Sequence, residues 1–116
     1  MEIDIPRHKM PQIFQADLER DYHVAPAIAP IERLIPVQSQ RLMGIVQKAA
    51  AAIAAGAHPQ GAIIIDKYYR IINGHHRYDA YRLLGYVEIP VLIVTDGELF
   101  ELIDRYSHTA SDAAVI

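Results

Sequence analysis

Asn73-Gly74-His75-His76-Arg77 follows directly on the β-branched pair Ile71-Ile72, and a run of helix-compatible residues then continues to Gly85. That order is the chemistry of a strand passing into a helix through a glycine. At a helix start the first backbone N–H groups have no intrahelical partners, and the helix dipole favours negative charge. Two histidines and an arginine in the first turn add cationic side chains, and the glycine allows a ligand to approach the backbone closely. Together these features predict an anion site, typically for phosphate. The predicted contacts are Asn73, Gly74, His75, His76 and Arg77.

The remaining composition narrows what such a site can serve. The chain of 116 residues is long enough for one core and one domain, and 52% hydrophobic with 22% charged residues is a globular composition. It has no cysteine, which excludes disulfides, thiolate metal sites and cysteine catalysis. Adjacent histidines point in different directions on a helix, so no protein metal site is expected from His75 and His76. No apolar run reaches membrane-spanning length and residues 1–20 do not resemble a signal peptide, so the expectation is a soluble, cytoplasmic protein without a membrane partner. The formal net charge of −3 gives no overall attraction for a polyanion, and nucleic-acid binding would need a local basic patch. Lys67, Arg70, His75, His76, Arg77 and Arg82, interrupted by Asp79, are the candidate patch.

Periodicity supplies the elements that must position the turn. Residues 1–27, broken by Pro6, Pro11 and Pro26, are expected to form an N-terminal arm that packs Ile13 and Phe14 on the core, with helical turns between Ala16 and Asp21. Ile28 to Ile31, beside Pro30, predicts an edge strand. A helix is expected from an N-cap at Ser39 to a stop at Gly56 and Pro59, burying Leu42, Ile45, Val46, Ala49 and Ile53. Ala62–Ile65 and Tyr69–Ile72 form a predicted hairpin that feeds into Gly74. The helix after Gly74 is expected to turn Ala80, Leu83 and Leu84 inward, with Tyr78 and Tyr81 as its flanks. The run from Ile89 to Val94 predicts the last strand, and Asp96-Gly97 turns into a final helix, with residues 107–116 as a tail. The result is a small α/β domain over residues 28–106, with a mixed sheet and its site at the Gly74 turn.

The run Asn73-Gly74-His75-His76-Arg77-Tyr78-Asp79-Ala80-Tyr81, followed by Gly85 and then Ile89-Pro90-Val91, resembles the ParB/sulfiredoxin superfamily. The resemblance covers roughly residues 28–94, because Leu34-x-Pro36 and the helix before the hairpin also match. It implies a ParB/sulfiredoxin-like fold and a nucleotide at the turn: ATP as in sulfiredoxins, CTP as in ParB, or ADP as in a related free-serine kinase, with Mg²⁺ arriving on the phosphates. Carried over, Gly74 and the following amides meet phosphate, and His76 and Arg77 supply side-chain contacts. Gln38, Arg41 and Glu32 are expected to support them.

The departures from the family pattern bear on chemistry. His75 stands where sulfiredoxin has its catalytic cysteine, which rules that reductase chemistry out. His75-His76 replaces the Glu-Arg of the partitioning proteins, and Gln38 stands at the glutamate of the kinase branch. No helix-turn-helix region is expected. Met10-Pro11-Gln12-Ile13 and Leu34-x-Pro36-x-Gln38 resemble small ParB-like phage proteins that are labelled nucleases by analogy. Glu32 and Asp66 are the carboxylates expected near strand ends, without an assigned catalytic role. Two readings follow: a domain that binds a nucleoside di- or triphosphate and hydrolyses or transfers phosphate, or a DNA- or RNA-binding protein or nuclease that uses the same basic turn.

Overall fold

Ile63, Ile64 and Ile65 are all buried, and consecutive residues of a strand can be buried only if both faces of its sheet are covered. In the computed structural model, which describes residues 3–56 and 63–115 with side chains to Ser107, they form most of β2 (Ile63–Asp66). β2 lies between β4 (Glu88–Val94), to which it runs parallel, and β3 (Ile71–Asn73), to which it runs antiparallel. β1 (Val24–Pro30) pairs antiparallel with the far side of β4, so the mixed sheet has the order β1-β4-β2-β3. Pro26 and Pro30 fit β1 because an edge strand tolerates missing donors. The strand starts four residues earlier than the apolar run alone indicates, inside the segment expected as an arm.

Side-chain alternation divides the core between the two faces of the sheet. Ile63, Ile65, Ile71, Ile89 and Val91 pack with Val46, Ala50 and Ile53 of α2 (Met43–Ala54) and with Tyr78, Ala80 and Tyr81 of α3 (His75–Leu83). Ile64, Ile72 and Val94 pack on the opposite face with Leu18 of α1 (Gln15–Asp21) and with Leu99, Leu102 and Tyr106 of α4 (Leu99–Val115). The α/β class, the mixed sheet and the element order agree with expectation. Ile13 is buried as expected, whereas Phe14, the residue before α1, is 55% exposed.

Two helices differ in phase from their predicted faces. Ser39 does not cap α2: its N–H and hydroxyl both go to Asp4, at 2.8 and 2.7 Å, and Leu42 precedes the first helical turn. The buried stripe is therefore Val46, Ala50 and Ile53, and Leu42 and Ile45 lie on the exposed side. In α3 the inward positions are held by His75, Tyr78 and Tyr81 at three-residue spacing, with Ala80 beside them. Leu83 is two residues beyond Tyr81, about 200° around the helix, and is exposed; Leu84 is also mostly outside. The end of α3 is set by Gly85 at φ 80°, where the Tyr86 and Gly85 amides bond back to Tyr81 and Arg82 carbonyls at 3.0 Å each. Ala62 and Pro59 fall outside the described residues.

The buried carboxylate of Asp66 joins the hairpin to α4. It accepts the Tyr68 and Arg70 backbone amides at 2.9 Å each, Arg70 Nε at 2.8 Å and the Leu99 amide at 2.8 Å. Arg70 continues the link to Glu98 at 3.0 Å, and Glu98 in turn accepts the Glu101 amide at the start of α4. Asp66 is thus an internal cap for two elements. Asp66→Ala should destabilise the fold by about 3 kcal/mol, because it orphans buried donors and an arginine at once. Urea unfolding of the variant checks this, and a loss under about 1 kcal/mol would contradict the assignment.

Candidate nucleotide-phosphate site

β3 must stay in register with β2, where Asn73 faces Ile64, yet the chain must leave the sheet and start α3 within one residue. Gly74 makes that turn with φ 105° and ψ 25°. A Cβ at this position would lie 3.0 Å from Ile63 Cγ1 and 3.2 Å from Ile63 Cα, so both the conformation and the space call for glycine. As a glycine, the residue before α3 offers no side chain to cap the helix, and the turn that follows it borders a cavity.

That cavity has a volume of about 1090 Å³ and is lined by the whole run from Ile72 to Arg77. Three other segments complete it. The N-terminal segment contributes Arg7, His8 and Met10 to Gln12; the stretch before α2 contributes Gln38 and Gln40 to Leu42; α2 contributes Ile45, Lys48 and Ala49. Arg7, Arg41, Lys48 and Arg77 bring positive charge, and among the described residues no Asp or Glu lines the cavity. In a chain of net charge −3, that segregation makes the cavity locally positive. The part away from the turn is aliphatic, built from Met10, Pro11, Leu42, Ile45 and Ala49.

The positive wall differs from the patch expected from sequence. Lys67 and Arg70 belong to the hairpin end, where Arg70 is held by Asp66 and Glu98 and packs over Tyr68 and Phe100. Arg82 lies over Tyr78, away from the cavity lining. In their place come Arg7, Arg41 and Lys48, from segments remote in sequence. Arg7 belongs to the conspicuous Arg7-His8-Lys9 run, which was a legible signal; Lys48 has the form of any solvated helix lysine. Of the supporting residues, Gln38 is buried on the cavity wall and donates its amide to the Gln40 carbonyl at 2.7 Å. Arg41 stands 3.5 Å from Asp79 of α3. Glu32 is exposed on a 3-10 turn and does not line the cavity, and Asp66 caps two elements instead. Tyr68, Tyr69, Tyr78 and Tyr81 are likewise absent from the lining, so none offers a stacking surface there.

Neither histidine of the turn has the character of a cation. His75 is 4% exposed, and its Nε2 accepts the Val37 amide at 3.0 Å. Burial, helped by nearby Arg41 and His76, pushes its pKa down to about 3. His76 Nε2 accepts the Leu42 amide at 3.0 Å, and its pKa is also lowered, first by burial and then by Arg7 and Arg41, against a smaller opposing pull from Asp79. Burial lowers Arg77 too, but an arginine stays charged in a protein. The positive side chain of the turn is therefore Arg77, and the two histidines beside it are neutral. Among the described residues no group of three or more His, Cys, Asp or Glu gathers as a metal site.

No family model matches the chain, and no curated protein matches it. Solved structures do. A pNOB8-like ParB N-domain superposes with a TM-score of 0.61 at 16% identity, over 78% of this chain and 37% of the other. The fold is that of a ParB N-domain. A C-terminally truncated chromosome-partitioning ParB from Caulobacter crescentus, complexed with CTP-gamma-S, superposes with a TM-score of 0.53 at 19% identity, over 78% of this chain and 53% of that one. The chain thus spans about a third to a half of the length of these ParB-N-like structures. Among the described residues no helix is long and apolar enough to cross a membrane.

Two measurements probe the turn. Gly74→Ala should cost at least about 2 kcal/mol in unfolding free energy, from left-handed backbone plus overlap with Ile63. His75 has a folded pKa of about 3 against an ordinary 6.5, so between those values the unfolded chain holds a proton that the native chain does not. Its contribution to stability is complete above about pH 7 and is lost as pH falls towards about 3, by a few kcal/mol at most. His75→Gln keeps an acceptor for Val37 without titrating, so unfolding curves should show a shallower acid loss for the variant than for wild type. Parallel pH profiles would refute the neutral buried histidine.

Proposed function

We propose that this domain binds a nucleoside di- or triphosphate, with its phosphates on the amides of Gly74, His75 and His76 and on the Arg77 guanidinium. The observation that carries the reading is the charge segregation in the cavity at the turn: four cationic side chains line it and, among the described residues, no carboxylate does, beside the start of α3. Asn73 closes β3 at the rim of the cavity. The aliphatic half of the cavity suits the sugar and base, and its volume exceeds what a phosphate alone requires. The ParB-N-like fold supports the same reading, since the Caulobacter relative is complexed with a CTP analogue. Among the described residues no carboxylate lines the cavity, so Mg²⁺ would come with the phosphates and be held by them and by water.

Binding, rather than turnover, is the function proposed. A hydrolase or phosphotransferase needs a group to orient or deprotonate the nucleophile. Both turn histidines already engage Nε2 with backbone amides, and Gln38 has no basic form.

The test is a thermal-shift panel of ATP, ADP and CTP with Mg²⁺, followed by calorimetry on the best ligand. A true ligand at a hundredfold excess over its Kd should raise the midpoint by roughly 10 °C. Measured at a temperature where the variant is folded, Arg77→Ala should weaken binding by at least about tenfold, since it removes a charge-assisted contact. Equal affinity in the variant would refute the assignment. Retention on DNA that falls steeply with salt, without any nucleotide effect, would instead favour the nucleic-acid reading.

A further inference from the structure

His75 and His76 are adjacent on α3, yet each reaches a different end of one segment. Val37 donates to His75 Nε2 and Leu42 donates to His76 Nε2, both at 3.0 Å. The residues between them include Gln38, Gln40 and Arg41, which form one wall of the cavity. Leu42 also starts α2, its carbonyl accepting the Ile45 and Val46 amides at 2.9 and 3.1 Å. An imidazole accepts a hydrogen bond only on an unprotonated nitrogen, so each bond requires a neutral ring with its proton on Nδ1.

The two bonds differ in access. His75 is buried, whereas His76 is partly exposed at the cavity. Around His76 stand Arg7 from the N-terminal 3-10 turn, Arg41 from the clamped segment and Asp79 one turn along α3, with Lys48 of α2, His75 and Arg77 sharing its cavity. Asp79 alone among these favours an imidazolium, and it lies 3.5 Å from Arg41. The surroundings therefore keep His76 neutral at ordinary pH and leave it open to protonation in acid.

We infer that His76 is a positioning residue: its neutral ring holds Leu42, and through it the Gln38–Arg41 wall, against the phosphate turn, so that protonation releases this wall and weakens ligand binding. The binding half of this inference rests on the nucleotide reading above. The sign separates it from plain electrostatics. A histidine that merely faced the phosphates would bind them more tightly once protonated. A histidine whose lone pair holds the site together does the opposite.

Hydrogen exchange of the Leu42 amide tests the clamp without any ligand, in wild type, His76→Gln and His76→Ala. Glutamine can accept the Leu42 N–H through Oε1 and does not titrate near neutrality. At about pH 7.5 the alanine variant should exchange at Leu42 roughly tenfold faster than wild type, with glutamine near wild type. As the pH is lowered stepwise until ring NMR signals show His76 protonated, wild type should come to exchange at Leu42 several-fold faster than the glutamine variant. A wild-type to glutamine ratio unchanged once the His76 ring is protonated, or full protection in the alanine variant, would overturn the clamp. In the second arm the probe is inorganic tripolyphosphate, the part shared by every nucleoside triphosphate. Wild-type affinity relative to His76→Gln should fall about fivefold over the same range, the comparison cancelling the titration of the phosphate itself. A constant or rising ratio would overturn the positioning role. If tripolyphosphate binds none of the three proteins, the nucleotide reading fails, while the exchange ratios still decide the clamp.

Discussion

The close approach of Gly74 to Ile63 is the constraint on which the site depends. β3 is held to β2 by the hairpin, and β2 is buried on both faces, so the end of β3 cannot move away from the sheet. Only a residue without a Cβ turns the chain there, at φ 105° with Ile63 at contact distance. The starting point of α3, and hence the phase of every side chain on it, follows from that one residue. His75, Tyr78 and Tyr81 then fall inward, and the first-turn amides and Arg77 face the cavity.

Charge is distributed unevenly between the two ends of the sheet. Asp66 and Glu98 sit at the hairpin end, where they hold Arg70 and the start of α4. Arg7, Arg41, Lys48 and Arg77 collect at the other end, where among the described residues no carboxylate lines the cavity. A weakly acidic chain can in this way carry a strongly cationic pocket, because short-range fields depend on local placement and are screened over about 10 Å at ordinary salt. Carboxylates placed where backbone amides need acceptors stabilise the hairpin and α4, while the cavity lining keeps its positive charge.

The histidines show how residue type can suggest one role and environment assign another. From composition, His75-His76 beside an arginine resembles a cationic cluster. In the fold each ring is an acceptor for a backbone amide, partly or fully withdrawn from water and flanked by guanidinium groups. Burial and neighbouring positive charge both disfavour the imidazolium. Their contribution is to fix geometry, and the positive charge comes from arginines and a lysine.

By itself the sequence determined the α/β class, the order of the elements, the hairpin into Gly74 and the helix that begins there. These rest on local patterning: β-branched runs, a turn glycine, and helix periodicity bounded by Gly85. Helix phase was less legible, since Leu42 and Leu83 are as apolar as the residues that are buried. What faces inward depends on where each helix starts, and Ser39 was drawn to Asp4 instead of capping α2. Tertiary structure alone decided the composition of the cavity and the charge state of its histidines. Arg7, Arg41 and Lys48 meet Arg77 only after the sheet and both flanking helices have packed, and no local pattern encodes that meeting. The neutral histidines likewise follow from burial and from two amides 38 and 34 residues distant, which are properties of the fold and not of the residue type.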